Sequence, residues 1–298
     1  MRALVLSGGG SKGSFQAGAV TFLARHATYS KGFDFIAGTS VGAINAAGLA
    51  MHNRAEFDKA AAWLQGMWEE KLDIWSKRFP PWISALWAPS IGTNTGLVKL
   101  LKKHLSAERV RASDVALDLT AVNLLDGKLR RFTKQDFGSD DALRAAVLAS
   151  ASFPVAFPPE SIGSGYLTDG GVRDIAPLKP AIEAGADEII VILTAATAGT
   201  EIVARSKVNT ALEVALRVVE IMTHEIMLND VHVCQKVNRR LASGEIAGGH
   251  GKRPIKISVI EPSAPLGDSL EFDPKVMKAQ IQQGITDAQS SLGARVVT

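Results

Sequence analysis

Residues 33–46 read FDFIAGTSVGAINA, an apolar run, then Gly38-Thr39-Ser40-Val41-Gly42, then small residues of helical character. A strand, a sharp turn and a helix in that order fit G-x-S-x-G, where small flanking residues permit the turn and leave the serine hydroxyl near a helix N-terminus. Ser40 is the candidate nucleophile, with Gly38 and Gly42 as the flanking residues of the elbow. Any turn rich in glycine and serine can produce such a match, so the neighbouring sequence has to decide. One strand earlier, residues 4–15 read LVLSGGGSKGSF, with Gly8, Gly9, Gly10 and Gly13 around Lys12. A strand followed by glycines and a helix is how proteins hold negative charge, because glycine permits close backbone approach and a helix N-terminus offers unpaired N–H groups.

Three anions compete for that loop. Gly8, Gly10 and Gly13 satisfy G-x-G-x-x-G, and Asp34 follows at a distance that suits a dinucleotide site. That acidic residue should close the second strand, however, and Asp34 opens it. A Walker phosphate loop needs Gly-Lys-Ser/Thr at its end, and the order here is Ser11-Lys12-Gly13. The third anion is transient: acyl transfer through a serine generates a tetrahedral oxyanion that needs preorganised N–H donors, and residues 8–10 would be its cradle.

A serine hydroxyl also needs a base. In YLTDGGVRD, residues 166–174, Asp169 follows a short strand-like run and precedes two glycines, although a D-G pair is most often an ordinary turn. Among the six histidines, His26, His52 and His104 are expected to face solvent, and His224 and His232 to lie on a helix surface. His250, in the glycine-rich stretch 244–254, is the one that fits the Ser…Asp…His order of α/β-hydrolases.

Composition bounds the rest. A chain of 298 residues, 46% hydrophobic and 21% charged, can bury one large core. The net charge of +3, without a long basic run, argues against a nucleic-acid footprint and supports only a slight preference for anionic membrane surfaces. The single Cys234 excludes an internal disulfide and a cysteine-rich metal site, fits a reducing compartment, and reads as a small buried apolar residue. The chain shows no export signal, and the uncharged stretch 35–51 is short and interrupted by Gly38, Ser40, Gly42 and Asn45, so a soluble protein is expected. Neither a calcium loop nor a His/Cys cluster is present in the sequence, and no metal or cofactor is expected.

Strand-like runs at residues 3–7, 33–37, 117–123, 128–132, 188–193 and 255–260 alternate with helical patterns, which predicts an α/β layered fold. The Asp126-Gly127 turn predicts a hairpin and therefore a mixed sheet. Apolar residues recurring over 210–241 predict one long amphipathic helix, with a break near Asn229-Asp230 as an alternative and a homo-oligomer contact as a use for its face. All five tryptophans, at 63, 68, 75, 82 and 87, fall in one stretch around Pro80-Pro81. Packing against the sheet and a helix-turn-helix cap at a membrane-facing mouth are its two readings.

Taken together, these residues resemble the patatin family of lipid acyl hydrolases. The resemblance rests on SGGGSKGSFQAG at 7–18, GTSVG at 38–42, ASASFPVAFPP at 149–159 and DGG at 169–171 followed by IAPLKPAIEAGADEIIVI, and covers most of residues 1–195. It implies a three-layer α/β/α fold with a mixed, mainly parallel sheet; it is weak over about 54–110 and thins after about 195, so one domain spanning 1–298 is expected from chain length, and the Trp-rich segment at about 54–110 is read as its cap or lid. It also implies a Ser40–Asp169 dyad without histidine, and an oxyanion loop of Gly8, Gly9, Gly10, Lys12 and Gly13 in which Lys12 stands where arginine is frequent. The substrate implied is a phospholipid or lysophospholipid ester met at a membrane surface by a cytoplasmic, peripherally bound protein. A neutral-lipid or broad-specificity esterase, a transacylase and a non-catalytic lipid-binding regulatory protein are the alternatives.

Overall fold

The first strand decides the layering. In β1 (Arg2–Leu6), Ala3, Leu4, Val5 and Leu6 are all fully buried, so both faces of the strand are covered, as in a central parallel strand between two layers of helix. Leu4 and Leu6 enter the larger core and Ala3 and Val5 the smaller one on the opposite face. The computed structural model describes residues 1–70, 74, 76–77, 88–198, 203–246 and 253–293.

Beyond β1 the chain runs α1 (Gly13–Arg25), β2 (Phe35–Thr39), α2 (Val41–Leu49), α3 (Phe57–Glu69), β3 (Ser76–Lys77), β4 (Gly92–Thr93), α4 (Thr95–His104), α5 (Ala107–Ala112) and β5 (Ala116–Asn123). It continues with β6 (Leu129–Thr133), α6 (Asp140–Ser150), β7 (Glu160–Ile162), β8 (Gly165–Asp169), α7 (Leu178–Glu183), β9 (Glu188–Ile192), α8 (Ala211–Ala242), β10 (Lys256–Ile260) and α9 (Pro274–Leu292). The main sheet has the order β10-β9-β1-β2-β5-β8-β7, with β6 also on β5. Strands β10, β9, β1, β2 and β5 are parallel, and β6, β8 and β7 add antiparallel pairs. The larger core holds α1, α2, α3 and α9, and the smaller one α7 and part of α8. This is the expected three-layer α/β/α fold with a mixed, mainly parallel sheet.

The hairpin expected at Asp126-Gly127 joins β5 to β6, with Gly127 at φ 68° and its N–H donated to Asn123 O at 2.7 Å. The uncharged stretch 35–51 is β2 and buried α2, and no described helix is long and apolar enough to cross a membrane. Helix α8 is unbroken through Asn229-Asp230. Asn229 Nδ2 donates back to Glu225 O at 3.0 Å, sharing that carbonyl with the helix ladder without breaking it, and the Asp230 carboxylate turns to the loop at 175–176. His26, expected in solvent, is instead 3% exposed between the rings of Phe22 and Tyr29. Helix α9 carries a signal that was there to be read, since Asp273 caps Lys275 N–H at 2.8 Å and Pro274 occupies the first turn.

Candidate active site

The site is made by two strands that meet end to end. Along one edge of β5, parallel β2 pairs from Phe35↔Ala116 up to Thr39↔Thr120, and antiparallel β8 pairs from Leu167↔Asn123 down to Asp169↔Ala121. The other edge of β5 is taken by β6, so β2 and β8 lie in line with their C-terminal ends facing. Ser40 follows the last paired residue of one and Asp169 is the last of the other; the backbone ladder alone brings them together. Thr39 Oγ1 and Thr120 Oγ1, 2.5 Å apart, and Thr39 Oγ1 donating to Asp174 O at 2.9 Å tie the junction.

Ser40 sits at φ 58°, ψ −125°, a backbone region that non-glycine residues seldom occupy and that the surrounding structure must hold. The turn is held from several sides. Its N–H is donated to Ser150 Oγ at 3.0 Å, and its carbonyl accepts Ala43 N–H at 2.9 Å in the first turn of α2. Gly42 is required because a β-carbon there would collide with Leu6 O and lie 2.7 Å from Ser7 O, so α2 starts in backbone contact with the end of β1. Gly38 faces Gly42 across the same turn.

The glycine loop is fixed by a buried polar chain. Trp68 Nε1 donates to Asn45 Oδ1 at 2.9 Å, Asn45 Nδ2 to Gln16 Oε1 at 2.9 Å and to Gly13 O at 3.1 Å, and Gln16 Nε2 to Ser7 O at 2.8 Å. Gly9 takes φ 154° with Thr194 packed where its β-carbon would be, and Thr194 Oγ1 donates to Gly8 O. The N–H groups of the loop are not equivalent, which revises the cradle read from the sequence. Gly8 N–H is donated to Ile175 O at 3.1 Å and Ser11 N–H to Ser269 O at 2.8 Å, whereas those of Gly9 and Gly10 have no partner among the described residues. Gly8 is therefore scaffold; Gly9 and Gly10 hold the available donors. Lys12 ends the turn and lines the same cavity, and Gly13 starts α1 against Val41 and Trp68.

Asp169 is 2% exposed. Its Oδ1 accepts Gly171 N–H at 2.7 Å, while Oδ2 is buried without a partner at ordinary hydrogen-bond geometry. Burial pushes its pKa from the usual 3.8 up to about 7, opposed by the Ser40 hydroxyl and the Gly171 N–H. Ser40 thus lies close enough to stabilise the carboxylate, although the bond to Oδ2 is not closed; such bonds commonly tighten only when substrate arrives.

Ser40 and Asp169 open into a cavity of about 300 Å³ shared with Gly8, Gly9, Gly10 and Lys12. Its apolar lining includes Ile44, Trp68, Leu97, Phe153, Phe157 and Leu270. Helix α8 also lines it, with Arg217, Glu220, Ile221, Thr223, His224 and Met227. His224 therefore faces the cavity, which its helix position did not reveal. His250, Trp75, Trp82 and Trp87 lie outside the described residues. Of the other two tryptophans, Trp68 is in the core and Trp63 packs on it, both from α3. Cys234 is half-buried and, with burial first and Asp230 and Asp174 next, its thiol pKa is raised. Among the described residues, no group of His, Cys, Asp or Glu could hold a metal ion.

The family model described as patatin-like phospholipase matches residues 4–182, a stretch that includes Gly8–Gly13, Ser40 and Asp169 and ends before α8. Uncharacterized NTE family proteins of Mycobacterium bovis and Mycobacterium tuberculosis are 28% identical over 199 residues, 64% of this chain and 48% of theirs. The chain thus spans about half the length of the curated relatives it matches. Among solved structures, VipD from Legionella pneumophila aligns at a TM-score of 0.46 with 16% identity, covering 99% of this chain and 67% of that one. The type III effector protein ExoU aligns at 0.40 with 16% identity, over 99% and 53%. With more than half of its length matched by the family model, the chain belongs to the patatin-like phospholipase family.

Proposed function

We propose that this chain is a serine acyl hydrolase that cleaves carboxylic esters of phospholipids or lysophospholipids through an acyl-enzyme, with Ser40 as nucleophile and Asp169 as general base. The observation that carries this is the end-to-end meeting of β2 and β8 on β5, which sets a serine in a strained elbow against a buried carboxyl at the floor of a largely apolar cavity. Asp169 Oδ2, the oxygen left without a partner, takes the Ser40 proton as Oγ attacks the ester carbonyl. The oxyanion forms beside the Gly9 and Gly10 N–H groups. The carboxyl then protonates the leaving alcohol, and the regenerated carboxylate draws a proton from the water that releases the acyl group. A base with a pKa near 7 is poised for both directions of transfer at neutral pH.

The described parts of the Trp-rich segment support a cap role, since Trp68, Ile74 and Leu97 all border the cavity. Lipid-facing action is supported by exposed Val214, Val218, Ile221 and Met222 on α8, of which Ile221 also lines the cavity. The deciding experiment measures acyl release from phospholipid vesicles and from a short-chain chromogenic ester for the wild type, Ser40→Ala and Asp169→Asn. Loss of both activities in both variants is expected; an Asp169→Asn enzyme near the wild-type rate would remove Asp169 from the mechanism.

A further inference from the structure

Beyond Leu6↔Ile192 the pairing of β1 with β9 changes character, and the change falls on the glycine loop. Ser7 N–H still reaches Ile192 O at 3.1 Å, so a continued parallel ladder would give Thr194 N–H to Ser7 O. That carbonyl is taken instead by Gln16 Nε2 at 2.8 Å, and Ser7 Oγ accepts Thr194 N–H in its place at 3.1 Å. The exchange turns the chain out of the sheet at Ser7. It also holds Thr194, which is 3% exposed, with its side chain against Gly9.

Thr194 Oγ1 donates to Gly8 O, and Ser7 Oγ lies 3.2 Å from the same carbonyl. Gly8 O and Gly9 N–H belong to one planar trans peptide, in which they point in opposite directions. Gripping the carbonyl therefore aims the N–H, and the aim is away from Thr194. That N–H has no partner among the described residues, and Gly9, Ser40 and Thr194 border one cavity. The following peptide is held differently, since Gly9 O accepts Lys12 N–H at 3.3 Å as an ordinary turn bond. Only the absence of a β-carbon at Gly9 lets the clasp close, because Thr194 Oγ1 occupies its place. Without the threonine hydroxyl, Ser7 Oγ alone would restrain the Gly8 carbonyl. Rotation of that peptide exchanges a donor for an acceptor, which repels an oxyanion.

We propose that Thr194 is a positioning residue of the oxyanion site: its hydroxyl, on a backbone held by Ser7, fixes the Gly8–Gly9 peptide so that the Gly9 N–H faces the developing negative charge. This rests on the reading of Ser40 as the acyl-transfer nucleophile. Thr194 lies beyond the residues 4–182 that the family model matches.

The test compares the wild type with Thr194→Val, Thr194→Ser and Ser40→Ala. Initial rates on a short-chain chromogenic ester give kcat and KM. Inhibition by an alkylboronic acid, whose boron accepts the Ser40 oxygen to form a tetrahedral anion, reads the oxyanion site without turnover. Thr194→Val keeps the side-chain shape and removes the donor. It is expected to lower kcat about tenfold to a hundredfold, less than the ~10²–10³ that deleting a donor outright costs, with KM within about twofold of wild type. Boronate affinity should fall by the same factor as kcat, and Thr194→Ser, which restores a hydroxyl, should recover most of both. Thermal melts identify folded variants, and Thr194→Ala carries the same expectation should the valine variant not fold. A hydroxyl-free variant with wild-type kcat, a loss carried by KM alone, a rate loss without a matching loss of boronate affinity, or a serine variant as impaired as the valine one would overturn the assignment. Failure of the acyl-hydrolase reading is seen separately, as Ser40→Ala releasing acyl groups at the wild-type rate, and would remove the oxyanion that Thr194 serves.

Discussion

The buried carboxyl of Asp169 makes opposite demands on activity and on stability, and the two can be measured on one protein. Its pKa is about 7 in the fold against 3.8 for the unperturbed group, so as a base it is about 1% ionised at pH 5, about 10% at pH 6 and about 90% at pH 8. The value of kcat/KM for a chromogenic ester should therefore rise about tenfold per pH unit below 7 and level off above about 8. Stability runs the other way. A folded-state pKa above the unfolded one favours the protonated native state, so the contribution is present below pH 3.8 and is lost as pH rises through about 7. The shift of about three units corresponds to a loss on the order of 4 kcal/mol between pH 4 and pH 8.5. Asp169→Asn keeps an oxygen for the Gly171 N–H and cannot ionise; it should abolish acyl release and raise the melting temperature by several degrees at pH 8.5, with little change at pH 4. The assay is a pH series of initial rates beside thermal melts of both proteins. A rate profile flat from pH 5 to 8, or an asparagine variant less stable than wild type at pH 8.5, would refute the account of a desolvated base.

Three further outcomes follow from the same contacts. Gly42→Ala drives a methyl group into the carbonyls of Leu6 and Ser7, and denaturant unfolding should show a loss of about 3 kcal/mol or more together with loss of activity. Ser150→Ala leaves the buried Ser40 N–H without its acceptor, which should lower stability by about 1–3 kcal/mol and reduce kcat more than it raises KM, since the elbow rather than the binding walls is loosened. Asp230, raised to about 7 by burial and then by Asp174, accepts the N–H groups of Ile175 and Ala176. Asp230→Asn should melt higher than wild type above pH 8 but not at pH 5, where the wild-type carboxyl is already protonated, whereas Asp230→Ala, which removes the acceptor, should be destabilised at both.

What could be read from the chain was what lies close together along it. Strand, Gly38-Thr39-Ser40-Val41-Gly42 and helix form one continuous stretch, and a sharp turn of small residues announces itself. Local pattern marked Asp169 only as an aspartate before two glycines, and its pairing with Ser40 came from the family resemblance, because its nearness to Ser40 depends on β2 and β8 sharing one edge of β5, a pairing between distant segments with no local signature. The chain Trp68–Asn45–Gln16 left a fainter trace: Asn45 is a polar residue in an otherwise apolar helix, and a polar residue at such a place needs a partner. On α8 the apolar period revealed the helix, but which polar residues face the cavity is set by how the helix docks, so His224 read as surface. Gly8 could not be told from Gly9 and Gly10 because the difference lies in Ile175 O, contributed by the turn after Asp169.

That turn explains why the site behaves as one unit. Within residues 169–176, Asp169 supplies the carboxyl beside Ser40, Asp174 O accepts the Thr39 hydroxyl at the end of β2, and Ile175 O accepts Gly8 N–H from the glycine loop. The N–H groups of Ile175 and Ala176 reach Asp230 on α8, whose other turns supply Arg217, Glu220 and His224 to the cavity wall. The strand that carries Ser40, the glycine loop, Asp169 and the cavity-lining helix α8 are thus all fastened to one short segment. Asp174, pushed up to about 6 by burial and by Asp118, adds an acid at this junction to Asp169 and Asp230, and all three are disfavoured in their ionised forms. Raising the pH therefore charges Asp169, the base of the proposed reaction, and in the same range weakens the segment that holds it against Ser40. The alkaline limit of activity should accordingly be set by loosening of this junction, and Asp230→Asn, which removes one of the three charges without removing its acceptor oxygen, should move that limit to higher pH.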